Sequence, residues 1–296
     1  MATPRLSYIV CATPRSGSTL LCEALKNTGV AGRPEEYFEA LRHSGCPRRP
    51  AEYFHGMRDR SVLDHLGEHA ALAESPPQSP IWSSEDYGPY LRWAIDQGTT
   101  GNGVFGAKLM AGYLGDFVTL LRTIPHYRGL DLADLLPAVF GEDVRFVRIV
   151  RANKLRQAIS LWKALQTATW RQERAGEARA ETNGGEPPVQ PQLRFHLGAI
   201  EHLISQLAAD DARWDAFFEV CRIKPLTIVY ERFVDRYEIT TKLLLNDLGI
   251  GVPAGLRFER RMQRQTDDLN REWARRYGEL TIGADPDLAP ATAAPA

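Results

Sequence analysis

Long apolar runs are missing from this chain. None approaches the ~20 residues that a membrane-spanning helix needs, so no span is expected. The first apolar run, Leu6 to Ala12, is short and is closed by Pro14-Arg15, unlike a secretory leader. Cysteine is scarce as well. The four cysteines (Cys11, Cys22, Cys46, Cys221) are scattered, with no pair at metal-ligand spacing and too few for a disulfide scaffold. A reduced, cytoplasmic setting is the expectation. Neither sign of charge is in excess. A net charge of -1 denies the chain the basic surface of a general nucleic-acid binder, although it leaves room for a local cationic pocket. His65 and His69 would share a helix face, but no third ligand accompanies them, and no metal site is expected.

What is present is one stretch around which the rest is organised, Tyr8 to Leu21. It opens with a β-branched and apolar run, a candidate buried strand, and closes with Leu20, Leu21, Ala24 and Leu25 at helical spacing. Between them lie Pro14, Arg15, Ser16, Gly17, Ser18 and Thr19. A strand, a tight loop and a helix N-terminus make an anion site, because the first helical N–H groups have no intrahelical partner and the helix dipole is positive there. Arg15 adds a charge, Ser16, Ser18 and Thr19 add donors, and Gly17 lets the backbone come close. The usual nucleoside-triphosphate loop carries Gly-Lys-Ser/Thr. Here Gly17 is followed by Ser18, so the lysine that cradles β- and γ-phosphates is missing and ATP or GTP is disfavoured.

Further along, Gly29 to Pro34 make a turn that leads to Glu35, Glu36 and Tyr37. Two readings stand. Pro34 opens a helix whose acids complement its dipole, or the turn returns Glu36 to the rim of the anion loop as a general base. Gly101 to Met110 reads as a turn followed by a buried strand, with Lys108 at its end either as an edge residue or as a cation at the carboxyl end of a sheet, where ligands collect. A second strand candidate, Val144 to Val150, runs into Arg151 and a helix carrying Ser160. This pair clamps a second phosphate, or it is a solvated basic turn followed by an ordinary helical serine. A magnesium-binding strand would end in Asp; this one ends in a cation. A helix is expected over Arg60 to Ala73, and others near Tyr87–Ala94, Asp131–Phe140, Leu155–Gln166, Phe195–Ala208 and Tyr237–Leu248. The stretch 171–194 reads as a mobile loop, and the Ala/Pro-rich tail 284–296 as disordered. Residues 1–283 are expected to form a single domain.

With both anchors placed, the chain resembles the PAPS-dependent sulfotransferases, and most closely the trehalose 2-sulfotransferase family of mycobacteria. The resemblance is carried by Arg15-Ser16-Gly17-Ser18-Thr19-Leu20-Leu21, by Thr28-Gly29-Val30-Ala31-Gly32 with Pro34, Glu36 and Phe38, and by Lys108-Leu109-Met110. It continues through Arg151 with Gln157-Ala158 and Ser160, Trp162, Gln166-Thr167 and Trp170, then His196 with Gly198-Ala199-Ile200, and Arg264-Gln265 with Glu272-Trp273. It implies an α/β fold with a P-loop-like parallel sheet flanked by helices, and a homodimer. It also implies that Arg15, Ser16, Gly17, Ser18 and Thr19 hold the 5′-phosphosulfate of PAPS. Arg151 and Ser160 would then hold the 3′-phosphate, Glu36 would be the base, and no metal would be needed. The acceptor side falls around Pro14, Arg33, Glu36, Tyr37 and Lys108. The trehalose enzymes carry polar and acidic residues where this chain has Pro14 and Arg33, an exchange that counts against trehalose. The expected reaction is sulfuryl transfer from PAPS to a hydroxyl of a carbohydrate or other small molecule, leaving PAP. The rivals are an ATP-dependent small-molecule kinase and a non-catalytic PAP- or phosphosugar-binding protein.

Overall fold

The computed structural model describes residues 4–39, 48–67, 70, 83, 85–167, 170, 193–252, 255–256, 258 and 268–282. Strand β1 (Leu6–Ala12) is buried along its whole length. Ile9 and Cys11 enter one core, while Leu6, Tyr8, Val10 and Ala12 enter the other. That period-two division explains the unbroken apolar run: a strand covered on both faces has no polar side to alternate with. In chain order there follow α1 (Ser18–Lys26), α2 (Gly88–Gly98), β2 (Val104–Met110), α3 (Leu114–Leu121), α4 (Leu132–Phe140), β3 (Arg145–Val150), α5 (Lys154–Thr167), α6 (Leu197–Val220), β4 (Leu226–Val229), α7 (Tyr230–Asp235), α8 (Tyr237–Asp247) and α9 (Asp268–Ile282).

The four strands form one parallel sheet in the order β2-β1-β3-β4. This is the α/β architecture expected from the sequence. Helices α2, α3 and α4 and the Trp214–Phe218 end of α6 cover one face, and α1 and α8 cover the other. A third apolar cluster, away from the sheet, joins α5, α6 and α9 to Tyr53 and Phe54. The chain reaches β2 and β3 on opposite sides of β1. The carboxyl ends of β1 and β3 therefore bound the crevice in which open α/β sheets take their ligands.

Three local expectations change. Of the helix expected over Arg60 to Ala73, Arg60–His65 is a 3-10 helix, while residues 68–69 and 71–73 lie outside the described residues; Asp59 accepts the Ser61 N–H at 3.0 Å, and this short helix buries Val62 and Leu66. Helix α3 was not anticipated, although Leu114, Phe117, Leu120 and Leu121 bury one helical face. Pro34 does not open a helix. Glu35 instead pairs with Ala107 of β2 as a parallel bridge, and the Lys108 N–H donates to the Glu35 carbonyl at 2.9 Å. Of the expected loop 171–194, residues 171–192 lie outside the described residues, as does the tail 284–296. Arg194 leads into α6, with its carbonyl accepting from Trp162 Nε1 at 2.8 Å and its N–H donating to Gln166 Oε1 at 2.8 Å.

The turn that returns the chain to β2 depends on Gly32. Its φ is +70°, and an added Cβ would lie 2.6 Å from the backbone nitrogen of Gly106. Gly29 has the same φ of +70° with open space around it. Gly32→Ala is expected to cost about 2–4 kcal/mol, from left-handed strain plus overpacking, and Gly29→Ala about 1 kcal/mol from strain alone. Urea denaturation of the two variants measures the difference.

Candidate functional site

The site begins where β1 stops. Trp214 Nε1 donates to the Ala12 carbonyl at 2.9 Å and fixes the strand end. The chain then turns through Thr13, Pro14, Arg15 and Ser16, closed by the Ser16 N–H on the Thr13 carbonyl at 3.2 Å. Arg15 (φ 61°) and Gly17 (φ 93°) both take left-handed backbone, and Gly17 caps α1 without a side chain. No side-chain oxygen competes for the first amides of α1, so they are available to an anion. The Ser16 hydroxyl is fully buried in this loop and has no hydrogen-bond partner among the described residues. A buried, unpaired donor is costly, and a bound oxyanion would satisfy it.

Side chains from distant elements hold the loop. Gln157 of α5 donates through Nε2 to Thr13 Oγ1 at 2.9 Å and to the Pro14 carbonyl at 2.7 Å. Its own carbonyl accepts from Lys154 Nζ at 3.1 Å, and Lys154 is paired with Asp211 at 2.5 Å. The Tyr230 ring lies against Gly17 so closely that a Cβ there would enter it. Gly17 is thus required twice, for its φ and for its lack of a side chain.

Two cations converge on this frame. Arg15 Nε donates to Ser160 Oγ at 3.1 Å, and Arg15 NH1 to the Trp170 carbonyl at 2.6 Å. Arg151 NH1 donates to the Arg15 carbonyl at 3.1 Å, and its guanidinium stacks on the Tyr230 ring at 4.7 Å. Burial, with the neighbouring Arg151 charge, pulls the Arg15 pKa down to about 10, so Arg15 stays charged at neutral pH. Like charges held together in a partly desolvated place are relieved by an anion. The two sets of residues read separately from the sequence are adjacent: Arg15 bonds Ser160 through its side chain and Arg151 through its carbonyl. Beyond Arg151 a small cleft is lined by Arg151, Arg156, Asn270 and Arg271, bringing α9 to the same cationic rim.

The acceptor-side residues divide into two groups. Glu36 lies against Lys108, whose side chain is 1% exposed, and the two form an ion pair. Lys108 Nζ also donates to Thr19 Oγ1 at 3.4 Å, in the first turn of α1. Carboxylate, ammonium and anion loop are thereby contiguous. Arg33 and Tyr37 face α2 instead: Arg33 NH1 reaches the Gln97 carbonyl at 3.4 Å, and Tyr37 packs edge-on against Trp93 at 6.2 Å. Pro14 supplies backbone, its carbonyl accepting from Gln157. Tyr53 and Trp170, with ring centroids 6.3 Å apart, stand on the α5 side, and Arg48 covers Tyr53 at 4.5 Å. Nothing local in the sequence marks Gln157 or Tyr230 as site residues, whereas the charged segment 257–277, which includes Arg271, reads either as a solvated helix face or as a lid contributing cations to the cofactor. Gln157 is a buried amide at the end of the first turn of α5, and only the fold shows what it reaches. Of the expected histidine pair, His65 packs on His196 (ring centroids 5.3 Å apart), while His69 lies outside the described residues. Among the described residues no group of three or more His, Cys, Asp or Glu could hold a metal ion.

A parallel sheet, a glycine-capped anion loop at the end of its first strand and a carboxylate beside that loop define a P-loop-like group-transfer enzyme. Comparison with known proteins specifies the group. The model of the Stf0 sulphotransferase family matches residues 7–279. The trehalose 2-sulfotransferase of Mycolicibacterium smegmatis is 32% identical over 275 residues, 92% of this chain and 94% of that protein. The trehalose 2-sulfotransferase of Mycobacterium tuberculosis is 31% identical over 273 residues, covering 91% and 93% respectively. The chain belongs to the Stf0 sulfotransferase family, and its activity is sulfuryl transfer.

The turn that carries Arg151 is secured by Glu231, whose carboxylate accepts the N–H groups of Ala152 and Asn153, each at 3.2 Å. Burial raises the Glu231 pKa, but these hydrogen bonds and Arg151 outweigh it, and the net shift is downward. A depressed carboxyl contributes stability above its unfolded pKa and loses it as pH falls through the folded value. The wild-type protein should therefore lose more stability than Glu231→Gln between pH 5 and pH 3. Chemical denaturation of both proteins across that range checks the sign.

Proposed function

We propose that this chain transfers the sulfuryl group of PAPS to a hydroxyl of a small carbohydrate-like acceptor, with PAP as the other product. The observation that carries the reading is the buried Ser16 hydroxyl, unpartnered inside an uncapped helix N-terminus and flanked by Arg15 and Arg151. Ser16, the first amides of α1 and Arg15 would bind the 5′-phosphosulfate. Arg151, Ser160 and the cleft completed by Arg156, Asn270 and Arg271 would take the 3′-phosphate. PAPS supplies the activated sulfuryl group.

In this reading Glu36 accepts the proton of the attacking hydroxyl as the new O–S bond forms. The loop amides and Arg15 stabilise the negative charge left on the departing phosphate as the old S–O bond breaks. The protein's part is mainly positioning and electrostatics, as in phosphoryl transfer. Acceptor choice rests with Pro14, Arg33, Tyr37 and the aromatic wall of Tyr53 and Trp170. The relatives are named for trehalose; here the guanidinium of Arg33 at the rim favours an acceptor bearing a carboxylate or phosphate over a neutral disaccharide. The free, buried thiols of Cys11 and Cys22 suit a cytoplasmic setting, and we read the active form as a homodimer.

Calorimetric titration without added metal should show PAP bound and ATP bound far more weakly. PAP at a hundred times its Kd should stabilise the fold by about 2.7 kcal/mol. Preference for ATP would overturn the cofactor reading. Glu36→Gln should lower kcat by about 10²–10⁴-fold while PAP binding is retained. Undiminished turnover would remove Glu36 as the base.

A further inference from the structure

Lys108 is among the most deeply buried charged residues of the protein, with 2% of its surface exposed. It stands on the face of β2 that looks toward α1, and the groups its ammonium touches include two with different duties. One is the Glu36 carboxylate; the other is Thr19 Oγ1, at 3.4 Å, in the first turn of α1. Burying an ammonium is tolerable only with a counter-charge and hydrogen bonds. Glu36 supplies that counter-charge, yet a general base must surrender its negative charge when it takes a proton.

We propose that Lys108 is a counter-ion shared in turn by Glu36 and by the anion loop. Paired with the ionised carboxylate, it fixes the base; once Glu36 carries the acceptor's proton, the ammonium is left to the anion at the head of α1. This rests on the reading of Glu36 as the base. The charges balance. The hydroxyl proton moves to Glu36, and the acceptor oxygen bonds to sulfur. The electron pair of the broken S–O bond goes to the leaving phosphate, and Lys108 keeps its proton throughout. The negative charge that disappears at Glu36 reappears at the loop, and Lys108, hydrogen-bonded to Thr19, lies between the two places. Thr19 accepts from Lys108, which leaves its own O–H to donate.

The groups around the pair are consistent with this role. Cys22 of α1, Tyr53 of the Pro50–Phe54 turn and Tyr113, just ahead of α3, are all electrostatically coupled to Glu36. Burial pushes each of them upward, Cys22 to about 12, so all three are neutral near pH 7. Glu35, on the same segment as Glu36, is paired with Lys26. Glu39 adds a further carboxylate to that segment, coupled to Tyr53 and Tyr113.

The test is a double-mutant cycle read by PAP affinity, which needs no turnover. Removing the carboxylate charge in Glu36→Gln should tighten PAP binding about three- to tenfold, because Lys108 is released toward the loop. In the Lys108→Met background the same Glu36→Gln change should leave PAP affinity unaltered. A second arm uses only wild type and Glu36→Gln. Wild-type affinity for PAP should rise as pH falls through the Glu36 titration, and the variant should lack that component; this arm decides the matter if Lys108→Met does not fold. PAP binding with independent, multiplicative effects of the two substitutions, or with no pH difference between wild type and Glu36→Gln, overturns this inference alone. A wild-type protein that binds no PAP overturns the cofactor reading and this inference with it.

Discussion

The backbone must reverse direction within a few residues of the end of β1 and still present its amides to one point. Arg15 and Gly17 accomplish this by entering the left-handed region together. A non-glycine residue there carries a conformational cost, and the surroundings hold it in place. The Arg15 carbonyl is bound by Arg151, its side chain by Ser160 and Trp170, and the preceding carbonyl by Gln157. Everything else in the site is placed relative to this turn. Tyr230 closes it from the β4 side, and Trp214 fixes the strand that feeds it.

The frame and the chemistry use the sheet differently. β1 ends in the anion loop, and β2, one strand over, holds Lys108 beneath it and pairs with Glu35 in an isolated parallel bridge. β3 ends in Arg151 and starts α5, which supplies Gln157 and Ser160. Electrostatics follows that geography. A chain of net charge -1 still concentrates Arg15, Arg151, Arg156, Arg271 and Lys108 along one rim. A small anion responds to such a local field, whatever the total charge.

Much of this is legible in the residues themselves. β1, β2, β3 and β4 are recognisable because strands covered on both faces read as short apolar runs, and the loop is recognisable because glycine and hydroxyls follow such a run directly. The less legible parts depend on long-range placement. Gln157 reaches residues 144 and 143 positions away, and no local pattern marks it as a loop clamp. Tyr230 touches Gly17 only because β4 ends two strands from β1 in the finished sheet. The Pro34–Glu39 segment misleads for the opposite reason. Its composition suits a helix N-terminus, and the free edge of β2 offered its backbone a better set of partners. Edge pairing of this kind overrides local propensity, since each buried N–H and C=O must be satisfied somewhere.

The same division bears on how acceptor choice can vary within one family. The residues proposed to bind the donor lie in a loop held by hydrogen bonds from several elements at once, from Gln157, Ser160 and Arg151, so a change there disturbs many neighbours. Gly17 cannot gain a side chain against Tyr230, and Ser16 is fully buried. The residues proposed to bound the acceptor are placed otherwise: Arg33 is exposed at the end of α2, while Tyr53 and Trp170 belong to the α5–α6–α9 cluster, which packs apart from the sheet. A substitution such as a cation at position 33 therefore leaves the donor frame intact. Under the proposed function, the charge it brings is one that an incoming hydroxyl compound would meet, and through that the class of molecule sulfated could change.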